Sequence, residues 1–371
     1  MIGKDDSVTS KEGLSTTRTG RSILKEALFK SRGYRTFVKY KEETARQFPD
    51  FESRFVEGMV QALESDGDPV ATQREFAHEI GTDRLMADPD HIDDTRARLL
   101  EPDTMADRVH RILDSNFVKM TFPVFNALFD AANPHSDPAL KRDMVEGHIL
   151  AIDLSEPMDR IVDRDEDLEY LEDYRLMTPY ILGLARTKIS RGGVAVLKSF
   201  EDGFRDARSG QYMDEELKSH PDRMTEVQME YSYKKYRAVM GTAGANMAMA
   251  EPPLSEAFYS GMAHASEAVG CGNEIEDSLQ NGYVKVPSWP LYYSVLSGDV
   301  HTGFEATLER SRQYLERARL SLRLLPDGFT HLEFLKFLFM TVEHYTEFWY
   351  NRISKADRWL QFQKSIPVRR S

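Results

Sequence analysis

The sequence predicts an all-α protein built as a helical bundle. Apolar residues recur at intervals of three and four, as at Phe51, Phe55, Met59 and Leu63, and this is the period of a helix with one buried face. Alternating apolar and polar residues, which would indicate strands, are scarce. Glycine and proline separate the periodic segments, and both residues interrupt helices. We therefore expect a bundle of roughly ten or more helices.

The periodic segments follow one another along the chain with short breaks. The pattern predicts helices within residues 51–66, 106–132, 138–174, 192–210, 223–250, 254–282, 304–325 and 331–353. Pro123 either kinks the second of these helices or begins a new one. We expect a polar, basic N-terminal segment over residues 1–45, accessory helices over 46–104 and the main bundle over 105–371. The N-terminal segment is either a mobile tail or the remnant of a targeting segment.

Composition and charge restrict the class of protein. The chain has 371 residues, of which 41% are hydrophobic and 29% charged, as in soluble globular proteins. A net charge of −13 argues against a nucleic-acid-binding protein, since phosphate binding needs a cationic surface. No apolar run predicts a membrane span, and the N-terminus lacks the apolar core of a secretory signal. The single cysteine, Cys271, excludes an internal disulfide. We therefore expect a reducing compartment, either the cytoplasm or an organelle lumen such as that of a plastid, and not secretion.

One acidic helix face is predicted within SEPMDRIVDRDEDLEY, residues 155–170. Glu156, Asp159 and Asp163 are three and four residues apart, so a helix would place all three carboxylates on one face. Like charges at these spacings repel, and a hard divalent cation with oxygen ligands would offset the repulsion. The alternative is an acidic face that only water solvates.

A second oxygen-rich face is predicted within GCGNEIEDSLQNG, residues 270–282. Asn273, Asp277 and Asn281 follow each other at intervals of four, although asparagine is unfavourable inside a helix. Asn281 with Gly282 is explained equally well by a helix end, but that does not explain the spacing of the other two residues. Two such faces, about 120 residues apart, would meet across a bundle and share Mg²⁺ ions.

In these features the sequence resembles the trans-isoprenyl diphosphate synthases and their relatives, the class I terpene synthases. The family has an Asp-Asp-x-x-Asp motif followed by a pair of arginines, and DRIVDRDEDLEY resembles it from Asp159 onward. Asp163 is retained, Arg160 stands in place of the second aspartate, and Leu168 and Glu169 replace the arginines. The resemblance covers residues from about 105 to 352.

Further matches follow in the family's order. GQYMD resembles Gly-Gln-x-x-Asp and matches Gln211 and Asp214, and YRAVMGTAG places Arg237 at the family's diphosphate-binding lysine. NEIEDSLQN resembles the second Asp-rich motif and keeps Asp277. Two lysines also match the family, Lys285 after the second motif and Lys119 upstream. The replacements are Glu274 for the usual glutamine, Ser278 and Asn281 for aspartates, and Phe122 for the upstream arginine.

The resemblance implies a class I isoprenoid synthase bundle that acts on a prenyl diphosphate with two or three Mg²⁺ ions. The implied metal ligands are Asp159, Asp163, Asn273, Asp277 and Asn281. The implied substrate-binding residues are Lys119, Arg160, Arg237, Lys285 and Glu274, and the implied catalytic residues are Arg237, Gln211, Asp214 and Lys285. A homodimer is the assembly that the family suggests.

The departures from the family pattern decide which reaction we expect. Phe122, Leu168 and Glu169 stand where family arginines hold the second substrate, isopentenyl diphosphate. Each lost cation removes charge-assisted hydrogen bonds of about 1.5–3 kcal/mol. We therefore expect Mg²⁺-dependent ionisation of an allylic prenyl diphosphate, with transfer of the prenyl group to another small-molecule acceptor, such as an amino acid. Arg160 would hold the acceptor's carboxylate or form a salt bridge. Two alternatives stay open: a terpene synthase that cyclises the prenyl chain, and a non-catalytic subunit of a heteromeric synthase.

Overall fold

The structure, a computed structural model, describes residues 30–154, 158, 161, 170–355 and 359–365. These residues form α-helices joined by short loops, with no strand among them. The helices are α1 (Arg32–Ser65), α2 (Pro69–Ile80), α3 (Ile92–Leu99), α4 (Pro102–Leu113), α5 (Asn116–Ala132), α6 (Pro138–Asp153), α7 (Leu171–Ser190), α8 (Val194–Ser219), α9 (Glu226–Ser232), α10 (Lys234–Met247), α11 (Leu254–Asn281), α12 (Trp289–Ser297), α13 (Val300–Ser321), α14 (Leu332–Ile353) and α15 (Trp359–Ser365). Short 3-10 helices cover Asp83–Leu85, Pro221–Arg223 and Leu322–Leu324.

Helix α1 begins at Arg32, within the stretch for which the sequence predicts a polar N-terminal segment up to residue 45. Ser31 caps the helix by accepting a hydrogen bond from the backbone N–H of Tyr34 at 3.0 Å. Tyr40 is buried, and its hydroxyl donates a hydrogen bond to Asp130 on α5 at 3.0 Å. The helical part therefore begins well before residue 46, because the apolar residues between the basic ones follow the helical period.

The predicted helix over residues 106–132 is divided into α4 and α5 at Asp114 and Ser115. Ser115 caps α5 by accepting a hydrogen bond from the backbone N–H of Val118 at 3.0 Å. Pro123 lies inside α5 and does not begin a helix. The capping serine therefore decides where the second helix starts.

Helix α11 packs against α10, α12, α13 and α14. Buried side chains follow most of its length, among them Phe258, Ala268 and Ile275. Helix α10 also packs against α8, and α6 packs against α5, α7 and α10. No helix in the described part of the chain is long and apolar enough to cross a membrane.

The close approach of α8 to α10 depends on glycine. A Cβ atom at Gly210 would lie 2.5 Å from the backbone nitrogen of Lys235, closer than real Cβ contacts allow. A Cβ atom at Gly203, two turns earlier on α8, would likewise lie too close to the Thr242 side chain of α10. These two glycines bring the Gly-Gln-x-x-Asp segment of α8 against the first turn of α10.

Candidate functional site

Two polar side chains of α8 face the first turn of α10. Gln211 and Asp214 are three residues apart and therefore share one face of α8. The Lys235 ammonium donates a hydrogen bond to Gln211 Oε1 at 3.2 Å and lies 3.1 Å from Asp214 Oδ2. Lys218 lies 3.4 Å from the same oxygen. Asp214 is thus a buried carboxylate held between two ammonium groups.

A second lysine–carboxylate pair lies at the C-terminal end of α11. Lys285, in the segment that follows this helix, donates a hydrogen bond from Nζ to Asp277 Oδ2 at 2.7 Å. The two side chains are 40% and 34% exposed, so a ligand can reach both. Partial burial disfavours the charged form of Lys285, but Tyr236 and Asp277 raise its pKa above the ordinary value. Lys285 is therefore a cation at neutral pH.

Electrostatic interactions join the two pairs into one site. Burial opposes the ionisation of Asp214, yet Lys235, Lys218 and Lys285 together hold the pKa of this carboxyl below its ordinary value. Burial raises the pKa of Tyr236 to about 12, and Lys235 and Lys285 oppose that rise. Both lysines therefore act on the same buried groups. We define the lysine–carboxylate cluster as Gln211, Asp214, Lys235, Asp277 and Lys285.

Arg237, predicted at the diphosphate-binding position, does not contact this cluster. Its guanidinium donates hydrogen bonds to Glu267 from Nε at 2.8 Å and from Nη2 at 2.5 Å, and it lies 3.4 Å from Glu230. Glu267 is fully buried and also lies 2.6 Å from His264 Nδ1. Because a buried carboxylate needs such partners, Arg237 links α10 to α11. Its role in diphosphate binding stays a prediction.

Two of the predicted metal ligands on α11 lie in different surroundings. The Tyr345 hydroxyl of α14 lies 2.6 Å from Asn273 Oδ1 and 2.5 Å from Glu276 Oε2. Asn281 is exposed and is the last residue of α11, which Gly282 ends with a φ of 75°. The Asn273 amide oxygen therefore has a partner within the protein, whereas Asn281 lies at the surface.

Glu274, predicted to bind substrate, is only 5% exposed. Its Oε2 atom accepts a hydrogen bond from the backbone N–H of Trp289 at 2.9 Å. Burial raises the pKa of Glu274 to about 8, so the carboxyl group is mostly protonated at neutral pH. The side chain therefore supports the first turn of α12 from inside the protein.

Of the two residues in the upstream motif match, Lys119 lies at the surface and Phe122 in the core. Lys119 lies in the first turn of α5, where its exposed ammonium is 2.5 Å from Asp114. Phe122, at the position where the resemblance expects an arginine, is buried. Its ring packs edge-on against Phe51 of α1, with centroids 5.3 Å apart. This position therefore serves the hydrophobic core.

The first acidic segment, with Asp159, Arg160 and Asp163, lies outside the described residues. Helix α6 ends shortly before it and α7 begins shortly after it. That its carboxylates face those of α11 stays a prediction.

Part of the predicted magnesium site falls within the described residues. Asn273 and Asp277 lie one turn apart on α11 and offer an amide oxygen and a carboxylate, which are ligands that Mg²⁺ accepts. Among the described residues, no group of three or more His, Cys, Asp or Glu side chains is placed to hold a metal ion. These donors fit one side of a magnesium–diphosphate complex, and the others are expected from Asp159 and Asp163.

An apolar cavity of about 40 Å³ lies between α6, α8 and α10. Its walls are aromatic rings and small aliphatic side chains, among them Ala151, Ile152, Phe200, Phe204 and Val239. A volume of this size has room for a few water molecules at most. A prenyl chain would therefore have to widen it.

His148 is the polar side chain at the α6 wall of this cavity. Its Nδ1–H donates a hydrogen bond to the Met144 carbonyl oxygen at 2.8 Å, and its Nε2 accepts one from the Asn246 amide at 3.1 Å. Burial lowers the pKa of His148 to about 4, so the ring is neutral. The described walls of the cavity therefore carry no charge.

Lys235 and Tyr236 are the site residues that the sequence analysis did not single out. They precede Arg237 in YSYKKYRAV. The motif match assigns the diphosphate-binding cation to Arg237, two residues after Lys235. Consecutive residues differ by about 100° around a helix, so Lys235 and Arg237 face different sides of α10. Tertiary contacts alone reveal which side meets α8.

Comparisons with known proteins concern the fold. No model of a protein family matches the sequence, and no curated protein matches it. Among solved structures, a polyprenyl synthetase from Streptomyces coelicolor A3(2) is similar with a TM-score of 0.51 and 13% identity, over 60% of this chain and 84% of that chain. A geranylgeranyl pyrophosphate synthetase from the archaeon Geoglobus acetivorans is similar with a TM-score of 0.54 and 14% identity, over 76% of this chain and 99% of that chain. These similarities confirm the predicted fold: the chain has an all-α bundle similar to that of a polyprenyl synthetase and of a geranylgeranyl pyrophosphate synthetase.

Proposed function

We propose that this protein is a prenyltransferase that ionises an allylic prenyl diphosphate with Mg²⁺ and passes the prenyl group to an acceptor other than isopentenyl diphosphate. The lysine–carboxylate cluster carries the proposal, because it gathers Lys235 and Lys285 with two carboxylates between α8, α10 and α11. The shared fold of a polyprenyl synthetase and a geranylgeranyl pyrophosphate synthetase supports the same class of substrate.

Lys235 and Lys285 would stabilise the diphosphate as it leaves. When the C1–O bond of the prenyl diphosphate breaks, both electrons stay with the diphosphate, and ammonium groups already in place favour that state. Each charge-assisted hydrogen bond contributes about 1.5–3 kcal/mol. Asp214 orients Lys235, and rotation of the Lys285 side chain away from Asp277 would turn its ammonium toward the diphosphate.

Asp277 and Asn273 are the residues of α11 that would hold Mg²⁺, with Asp159 and Asp163 as the proposed ligands from the first acidic segment. When bound, the metal supplies positive charge that neutralises the diphosphate. Asn281 would join them from the end of α11, where its side chain is exposed.

The surroundings of Phe122 support an acceptor other than a second diphosphate. The ring is buried against Phe51, so this position cannot offer a cation to isopentenyl diphosphate. Lys119, the retained cation of the same motif, is paired with Asp114. A small acceptor with a nitrogen, oxygen or carboxylate nucleophile needs less positive charge to bind.

The cavity between α6, α8 and α10 would receive the prenyl chain. Its walls are mainly aromatic and aliphatic, and they carry two polar side chains, Thr242 and the neutral His148, whose ring nitrogens are both engaged in hydrogen bonds. A prenyl chain that fills the widened cavity would exclude water, which would otherwise capture the cation. Phe204, half-buried on α8, is the side chain whose rotation would open the cavity.

Incubation with geranyl, farnesyl or geranylgeranyl diphosphate and Mg²⁺ tests the proposal through the release of pyrophosphate. We expect release that increases on adding an amine, amino acid or phenol, together with a prenylated acceptor in the mass spectrum. The K235M variant should reduce release. A hydrocarbon formed from the diphosphate alone would favour a terpene synthase, turnover only with isopentenyl diphosphate would reject the acceptor, and turnover only with a partner chain would favour the subunit interpretation.

A further inference from the structure

Residues 282–288 connect α11 to α12 and carry Lys285. We infer that two buried side chains of α11, Ser278 and Glu274, are positioning residues that hold this segment so that Lys285 faces the diphosphate. The inference rests on the proposed function in one respect, which is that Lys285 contacts the diphosphate.

Ser278 fixes the backbone of Lys285 from inside α11. Its side chain is fully buried. The Oγ atom donates a hydrogen bond to the Glu274 carbonyl oxygen at 2.7 Å and accepts one from the backbone N–H of Lys285 at 3.3 Å. Both the proton and an acceptor site of this hydroxyl are therefore used within the protein. The residue that stands at an aspartate position of the second motif thus holds the chain and does not face a metal ion.

Glu274 fixes the other end of the segment. Its Oε2 atom accepts the backbone N–H of Trp289 at 2.9 Å, and the Trp289 side chain is fully buried at the start of α12. The Tyr233 ring packs against the indole with centroids 5.7 Å apart, and the Arg310 guanidinium lies 4.5 Å from the ring centre. Trp289 is therefore a rigid anchor for the residues before it.

The carbonyl group of Lys285 is held as well. Ser288 donates a hydrogen bond from Oγ to this oxygen at 2.6 Å, and the same hydroxyl caps α12 by accepting from the backbone N–H of Leu291 at 3.2 Å. The backbone of Lys285 is thus tied on both sides, and only its side chain, paired with Asp277, is left to move. A cation placed in advance loses less entropy when it binds a ligand.

Binding of inorganic pyrophosphate in MgCl₂, measured by calorimetry, tests the inference in the chain of residues 1–371. The S278A variant removes the acceptor for Lys285 N–H, and E274M removes the acceptor for Trp289 N–H. Because a hydrogen bond contributes about 1 kcal/mol net, we expect about fivefold weaker binding in each variant. E274Q keeps an acceptor oxygen and should lose less affinity than E274M. The matched control is S294A, since this buried hydroxyl bonds only the Pro290 carbonyl of its own helix among the described contacts.

Hydrogen exchange of the peptide over residues 282–289 gives a second measurement that does not depend on a ligand. We expect faster exchange in S278A and E274M, confined to this peptide. In S294A the peptide should exchange at the wild-type rate. Unchanged exchange and unchanged pyrophosphate binding in S278A and E274M would overturn the inference. If K285M and the wild-type protein bind pyrophosphate equally, the proposed contact of Lys285 is wrong, and faster exchange in S278A would then show that the segment is held but not for this ligand.

Discussion

The buried Glu274 makes the free energy of unfolding depend on pH, and the E274Q variant should remove this dependence. In the folded protein, burial raises the pKa of this carboxyl to about 8, from an ordinary value of 4.5. Glutamine has nearly the same shape, keeps an oxygen to accept the Trp289 N–H, and does not ionise. The variant therefore isolates the free energy of ionising one buried group.

The folded and unfolded states differ in the pH at which Glu274 loses its proton. Between about pH 4.5 and pH 8 the folded protein keeps a proton on Glu274 that the unfolded chain has released, so this group lowers the free energy of unfolding as the pH rises. Below this window the group is protonated in both states and has no effect. A difference of about 3.5 pH units, at about 1.4 kcal/mol per unit, sets an upper bound of about 5 kcal/mol.

Urea unfolding of both proteins in metal-free buffer, followed by circular dichroism from about pH 5 to about pH 8.5, measures the effect. We expect the free energy of unfolding of E274Q to exceed that of the wild type by an amount that grows with pH and levels off near pH 8. All other titrating groups are common to both proteins and cancel. The control is E256Q, at an exposed carboxylate in the first turn of the same helix. A difference between E274Q and wild type that is independent of pH would refute the burial of an uncharged Glu274.

Three other variants test the lysine–carboxylate cluster and the contacts that stabilise the helices around it. K235M should reduce pyrophosphate release from a prenyl diphosphate by about 10- to 100-fold, because it removes a charge-assisted hydrogen bond. It should also lower the free energy of unfolding, because the buried Asp214 loses one of its two ammonium neighbours. A loss below about twofold in kcat/KM would contradict the role of Lys235. R237M should lower the free energy of unfolding by about 3 kcal/mol, because it leaves the fully buried Glu267 with fewer partners; unchanged urea unfolding would contradict this. G210A should lower both stability, by about 1–3 kcal/mol, and activity, since its Cβ would meet the Lys235 backbone, whereas G183A, with open space at that position, is the matched control in both assays.

The fold was accessible from the sequence because periodicity and breaks are local properties. The stripe through Phe51, Phe55 and Met59 lies in α1 with those residues buried, as expected. The start of α1 was harder to predict, because its first turns are rich in basic residues, and the burial of Gly33 and Tyr40 is evident only in the structure. Helix ends set by a single cap, such as Ser115, were also beyond the periodic pattern.

The site was accessible only in part, because a motif gives spacing along one helix and not the partner across the bundle. Gln211, Asp214 and Lys285 were expected from the family resemblance and Asp277 also from its spacing, and the structure brings the four side chains into one cluster. The contact of Lys235 with α8 depends on tertiary packing at Gly210, which no local pattern encodes. The burial of predicted substrate ligand Glu274 likewise depends on how α12 docks on α11.

The most direct test of the central claim is a crystal structure with Mg²⁺ and an unreactive prenyl thiodiphosphate. We expect the diphosphate to lie within hydrogen-bonding distance of Lys235 and Lys285, with Asp277 on the metal side and the prenyl chain in the cavity beside Phe204. A diphosphate bound elsewhere, with Lys235 still paired with Asp214 and Lys285 still paired with Asp277, would contradict the proposed roles of both lysines.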